Sequence, residues 1–178
     1  MKSMATEFLD VVNDDDIVIG RDSRRTVHEI GLQHRGVHVF LFDADGRLLI
    51  QKRSADRSSA PSLLDCSISE HVQSGESYLE AAIRGMREEM GVQGIDLKRL
   101  TKFRMEYGVN DLEISELYEG RVSPALVSFD PVEIESIAYV SVEELKSMLA
   151  DERDRLCGWF VELLELYLNG KGKMQVMG

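Results

Sequence analysis

Residues 77 to 91 carry both ends of a helix in their own sequence, and that fixed length constrains everything placed around it. Ser77 with Glu80 three residues later fits a capping box, and Gly91 suits the left-handed position that closes a helix. Between them Leu79, Ala82, Ile83, Met86 and Met90 recur at helical spacing, which predicts one buried stripe. Glu88 and Glu89 are predicted to point away from it, on a face shared with Ala81 and Gly85. Two adjacent carboxylates on the open side of a buried helix, below a loop bearing Gly75, form a cradle for a hard divalent cation.

Around this helix the chain reads as α/β, with no repeat and no low-complexity linker. Phe8 to Val12 and Ile17 to Gly20 read as strands flanking the turn Asn13–Asp16. Gly36 to Phe42 and Arg47 to Lys52 read as a hairpin across Asp43-Ala44-Asp45-Gly46. Residues 53 to 76 are loop-rich, with Ser67 to Val72 extended. Leu97 to Met105, Ile114 to Val122 and Ser136 to Val140 are further strands, and Ser141 caps a helix. A last helix is predicted from Asp151, with Leu156, Phe160, Leu163, Leu164, Tyr167 and Leu168 as its apolar stripe. That stripe reads as core; the alternative is a homodimer interface.

Composition sets limits on function. A chain of 178 residues, 43% hydrophobic and 30% charged, is predicted to form a single domain over residues 1–178. The net charge of -11 argues against nucleic acid as a partner. It also means that a polyanionic substrate needs a metal or a local basic patch. No apolar run approaches the length that crosses a membrane, and no signal-peptide core is evident. Cys66 and Cys157 are too few for a disulfide framework, so the expected location is the reducing cytoplasm.

The segment Glu70 to Val92 resembles the Nudix box, whose pattern is Gly, five residues, Glu, seven residues, Arg-Glu, aliphatic, any, Glu-Glu, any, Gly, aliphatic. Glu76, Arg84, Met86, Glu88, Glu89, Gly91 and Val92 match. Glu70 stands where the first glycine belongs, and Gly85 where the first helix glutamate belongs. The resemblance covers nearly the whole chain. It implies the Nudix fold, a mixed β-sheet sandwiched between α-helices in the α/β (α+β) class. It also implies hydrolysis of a small-molecule diphosphate by water attack on phosphorus, with Mg²⁺ (or Mn²⁺) as cofactor. By this resemblance Glu88 and Glu89 are metal ligands, Glu76 is an outer ligand or hydrogen-bond partner, and Arg84 orients the carboxylates. The two altered positions belong to the same metal site, and Glu70 is read as a carboxylate that has moved there from position 85. The bland alternative is a catalytically impaired Nudix-fold protein that binds a nucleotide or a protein partner.

Other segments narrow the branch. His34 to Phe40, Leu48 to Ser54 and Asp65 to Val72 look like the Nudix branch close to isopentenyl-diphosphate isomerase. Lys52 and Arg53, with Arg35 and Arg57 as lesser candidates, are the counter-charge for a diphosphate. The isomerase binds a metal through three histidines and two acidic residues, and His28, His34, His71, Asp111 and Glu113 follow that order. Its catalytic cysteine position is Ser69 here, Cys66 lies three residues early, and Pro61 is not followed by the expected tryptophan. Isomerase is therefore the rival rather than the leading reading, and His28 and His34 are expected to be structural histidines with satisfied hydrogen bonds. For the base that activates water, Glu113 is preferred to Glu116. The two face opposite sides of a strand, and Asp111 shares the face of Glu113.

Overall fold

The computed structural model describes residues 7–178. The elements follow in chain order as β1 (Phe8–Val12), β2 (Val18–Ser23), α1 (Arg24–Ile30), β3 (His34–Phe42), β4 (Leu48–Arg53), β5 (Leu64–Asp65) and β6 (Ile68–His71). Then come α2 (Tyr78–Met90), β7 (Lys98–Gly108), β8 (Asp111–Arg121), β9 (Ile134–Val140), α3 (Val142–Asp151), α4 (Gly158–Asn169) and β10 (Gln175–Met177).

β1 and β2 form a hairpin of their own, closed by Asn13, whose side-chain oxygen accepts from the Asp15 and Ile17 amides. Among the described residues the remaining strands make one mixed sheet in the order β10-β7-β8-β3-β4-β5, with β6 also on β3 and β9 also on β4. β3 is its centre: it runs parallel to β8 and antiparallel to β6. Val37, Val39 and Leu41 of β3 meet Ala81, Ala82, Met86 and Met90 of α2. Phe40 and Phe42, of the opposite parity, meet Phe160, Leu163 and Leu164 of α4 and Leu145 and Leu149 of α3. The sheet is thus sandwiched between helices, as expected. No helix among the described residues is long and apolar enough to cross a membrane.

The capping box of α2 is formed as predicted. The Ser77 side chain accepts from the Glu80 amide, Glu80 returns to the Ser77 amide, and Gly91 closes the helix at φ 64°. Replacing Ser77 with alanine removes the hydroxyl's half and leaves the backbone amide's bond to Glu80; it should cost about 1 kcal/mol, a melting-temperature drop of about 2–4 °C readable by calorimetry.

The buried face of α2 is the predicted one only in part: Ala82, Met86 and Met90 are buried as expected. Leu79 and Ile83 are exposed, while Ala81, Gly85 and Glu89, assigned to the open side, are buried. The helix is rolled because its small residues let it sit closely on β6, and because Arg84 anchors it through polar contacts rather than apolar ones. The last helix also begins later than Asp151. α3 runs to Asp151, a short 3₁₀ turn covers Arg153–Arg155, and α4 starts at Gly158. Leu156 interrupts the helical path by bridging to Leu64, and the Cys157 amide donates to the Leu64 carbonyl. Of the predicted stripe, Phe160, Leu163 and Leu164 on α4 and Leu156 ahead of it are core, and Tyr167 is partly exposed.

α1 has no counterpart in the periodicity. It has seven residues and buries only Val27, too little to register as a stripe. Its signal lies at its ends, where Ser23 caps the Thr26 amide and Gly31 takes φ 72°.

Candidate functional site

Strand alternation gathers one set of side chains on the α4-facing side of the sheet. Even-numbered β3 residues there include His34, Gly36 and His38, and odd-numbered residues of β8 and β6 present Glu113, Ser69 and His71. His34 pairs in register with Glu113, and His38 with Ser69. Gly36, between the two histidines, leaves room for the Glu113 carboxylate. A Cβ there would collide with Glu113 Oε2 and come within 2.7 Å of Ser115 Oγ. α1 adds His28 from above, whose Nε2 lies 3.2 Å from His71 Nε2.

The result is a nest of imidazoles and carboxylates. Candidate donor atoms of His28, His34 and His71, and of His34, Asp111 and Glu113, lie within 4.8 Å of one another. His34 is fully buried, and its Nδ1 faces the Leu32 carbonyl at 3.0 Å. With the proton on Nδ1, the Nε2 lone pair points at Glu113 Oε1 (3.4 Å) and Asp111 Oδ1 (3.9 Å). His34 Nε2 and Asp111 Oδ1 are buried and make no hydrogen bond. Such a pair is costly to leave unmatched, and a divalent cation between them would satisfy both. The expectation of satisfied bonds holds for His28, whose ring faces His71 and Asp111, and fails for His34, whose Nε2 has no hydrogen bond; both stand in a donor set that could hold a metal.

Charge in the nest is divided. Burial drives His71 well below its ordinary range and lowers His28. For His34 burial acts downward, and the neighbouring Glu113 carboxylate reverses it to a net rise. Burial, then the charge of Glu113, raises Asp111 to about 6. Against its own burial, Glu113 is held far below the carboxylate range by His34, with His71 and His38 assisting. A carboxylate held so low offers a ligand oxygen readily and accepts a proton weakly. Glu116 faces the other side, bonded to Arg99 and Tyr118, as the alternation predicts.

The box residues form a second group at the other edge of β6. Arg84 is its hub: Nε and Nη2 take both oxygens of Glu76 (2.8 and 3.0 Å), Nη1 reaches Glu70 (3.3 Å), and Nη2 also donates to the His71 carbonyl. Glu88 lies 3.5 Å from Arg84. Glu88 and Glu89 do not share an open face. Glu88 is partly exposed, whereas Glu89 is buried and accepts from Gln51 Nε2 at 2.8 Å. Burial, then the charge of Glu70, raises Glu89 well above the ordinary range; burial also raises Glu70, partly offset by Arg84.

A cavity of about 860 Å³ joins the two groups, lined by His28, His71, Asp111 and Glu113 and by Glu70 and Ser69. Of the predicted counter-charges, Arg53 and Arg57 line it. Lys52 and Arg35 do not: Lys52 is paired with Glu135 on the outer face, and Arg35, of opposite parity to His34, is paired with Asp16. Arg53 is held by Asp65 and the Ser59 carbonyl and lies over the Trp159 ring.

The far wall was not legible in the sequence. Ser69 Oγ lies 3.0 Å from His38 Nδ1 and donates to Asp65 (3.2 Å), and His38 Nε2 lies 3.4 Å from the Tyr107 hydroxyl. Trp159, from α4, donates to Asp65 and supplies the aromatic surface missing after Pro61. Cys66 is buried, its thiol donating to the Ile68 carbonyl, and burial pushes that thiol well up. Neither Cys66 nor Cys157 lines the cavity. Arg24 and Arg25 also line it, carried there by α1.

Comparison with known proteins agrees with this architecture. The model of the NUDIX domain matches residues 32–160. A protein named isopentenyl-diphosphate Delta-isomerase from Serratia proteamaculans is 31% identical over 167 residues, covering 89% of this chain and 90% of its own length. A Nudix hydrolase of Streptomyces coelicolor is 34% identical over 152 residues, covering 85% and 83%. The crystal structure of DR0079 from Deinococcus radiodurans superposes with a TM-score of 0.76 at 33% identity, covering 89% of this chain and 98% of that one.

Proposed function

The chain belongs to the NUDIX domain family, and from that premise we propose that it is a divalent-cation-dependent hydrolase of a small organic diphosphate, nucleoside diphosphates included. The observation that supports this most is the convergence on one cavity of Asp111, Glu113, the box carboxylate Glu70 and the arginines, with the unmatched His34 Nε2 buried directly behind Asp111 and Glu113. Two donor sets of different chemistry are present. Glu89 and Glu70, with Glu88 nearby, offer oxygen to Mg²⁺ or Mn²⁺; His28, His34, His71, Asp111 and Glu113 offer mixed nitrogen and oxygen, which suits Mn²⁺ or a later transition metal. A cation held there would make water more acidic and offset charge developing on the phosphoryl oxygens. Arg84 fixes Glu76 and Glu70 and so acts on the donors rather than on substrate. Arg53 and Arg57 give a diphosphate a positive approach in a chain of net charge -11.

The test is release of phosphate or nucleoside monophosphate from a panel of diphosphates by metal-stripped protein resupplied with Mg²⁺ or Mn²⁺. Saturable, metal-dependent release is expected. No release from any member, with metal demonstrably bound, would overturn the hydrolase reading in favour of a catalytically impaired binding protein.

One observation favours a second reading. The histidine nest, Tyr107 and Trp159 enclose the same cavity, an arrangement suited to isomerising isopentenyl diphosphate. Against it stands Ser69, since a hydroxyl gives up a proton far less readily than a thiol. The protein should therefore incorporate no deuterium into isopentenyl diphosphate in deuterated water. Enzyme-dependent incorporation seen by NMR would promote the isomerase.

A further inference from the structure

Two residues that depart from the box pattern touch each other. Glu70 lies on β6 and Gly85 on α2, and the Glu70 side chain crosses the helix directly over the glycine. A Cβ at position 85 would come 2.9 Å from Glu70 Cγ and 2.7 Å from Ile68 Cγ2. A side chain at 85 would therefore have to displace the present side chain at 70 and the Ile68 methyl as well. Position 70 does not ask for glycine: it pairs in register with Val37, and its backbone is not among those with positive φ. Nor is Gly85 a mere weak point in a helix. Its missing side chain is the space that Glu70 uses. The carboxylate delivered through that space ends 3.3 Å from Arg84, beside buried Glu89, at the wall of the cavity.

We propose that Glu70 and Gly85 are one exchanged unit: the strand supplies, across a glycine, the cation-facing carboxylate that the box pattern would place on the helix. The chemical class of ligand is a hard divalent cation bound with Glu89. This rests on the metal dependence proposed above and specifies which carboxylate serves it. The plainer role for Glu70, an ion-pair partner for Arg84, predicts loss of stability without loss of metal.

The exchange is tested by Mn²⁺ titration calorimetry and metal-free thermal unfolding. Both are done in a His34→Gln background, so that the carboxylate set is read without the imidazole set. Glu70→Gln should weaken Mn²⁺ binding at least tenfold while the protein stays folded. Gly85→Glu alone should lower the melting temperature, because two side chains compete for one space. Glu70→Gly with Gly85→Glu, made together with Ile68→Ala to clear the second contact and compared with Ile68→Ala alone, should recover both melting temperature and Mn²⁺ affinity, a strongly non-additive cycle. If Glu70→Gln binds Mn²⁺ as well as its parent, Glu70 is only the partner of Arg84 and the inference fails, whatever its melting temperature. It fails equally if the effects add, if Gly85→Glu alone tightens binding, or if the combined variant does not fold. Absence of Mn²⁺ binding by the otherwise unaltered protein would instead sink the functional reading, and this inference with it.

Discussion

Replacing Glu89 with glutamine should move activity and stability in opposite directions. Hydrolysis of whichever diphosphate the panel identifies should fall by about two orders of magnitude or more, the loss expected when a group supporting charge in the transition state is removed. The metal-free protein should at the same time melt higher at neutral pH. Glu89 is buried beside Glu70, and both burial and that neighbour raise its carboxyl well above the ordinary range. The folded state then holds a proton that the unfolded chain has released. Folded-state proton binding in excess of the unfolded chain makes stability fall with rising pH, here from the ordinary carboxylate range up to the raised value. Glutamine keeps the volume and the contact with Gln51 and has no proton to lose, so the fall should flatten. Calorimetric melting curves between pH 5 and about 8, run beside the turnover assay, read both effects. Full turnover in the variant would remove Glu89 from the site. Lost turnover with a lower melting temperature at every pH would make it a structural residue.

That Glu89 is buried at all marks where sequence reasoning stopped. The helix, its caps and its length were legible because Ser77, Glu80 and Gly91 act locally. Its rotation was not. Leu79 and Ile83 outweigh Ala81 and Gly85 in any hydrophobic pattern, yet the smaller residues face the sheet because β6 presses close and Glu70 needs the space over Gly85. The sheet was read well, since β3, β6 and β8 alternate cleanly. The same alternation put Asp111 and Glu113 on one face and Glu116 on the other. What alternation alone could not supply was the third dimension. Lys52 and Arg53 are adjacent, and only the pairings with Glu135 and Asp65 show that one faces out and the other in. Trp159 reaches the cavity from a helix about half the chain length away from Ser69, and no local signal announces such a contact. α1 shows the same limit, because a short helix burying one residue leaves only its caps to be read, and with it went the arginines that it delivers. The histidines and both acidic residues were in view as one set, through the order that they share with the isomerase. What order along the chain could not give was their distance from one another, or the unmatched nitrogen of His34.

His34→Gln should abolish tight metal binding to that nest while leaving the fold intact. His34 is fully buried, and its ring is fixed by the Leu32 carbonyl, so its Nε2 is aimed before any metal arrives. Second-sphere changes at metal sites cost about 10–100-fold in affinity, and loss of a ligand so oriented should cost at least the upper figure. Chelation offers an independent measure. A ligand present at about 100 times its dissociation constant stabilises the folded state by about 2.7 kcal/mol, which in a protein of this size is several degrees of melting temperature. The otherwise unaltered protein should lose that margin in a chelator and regain it with Mn²⁺; in the variant the response should shrink to the weaker one that the carboxylate set of Glu70 and Glu89 supplies alone. Glu116→Gln, on the opposite face of β8, should behave like the parent and controls for a general effect of altering the strand. Acid gives the same answer by another route. Binding must displace a proton from Asp111, which burial and Glu113 raise to about 6, so Mn²⁺ affinity should weaken as pH falls through that value. Affinity unchanged in His34→Gln, or flat from about pH 7 to about 5, would mean that the nest is a hydrogen-bonded cluster rather than a metal centre.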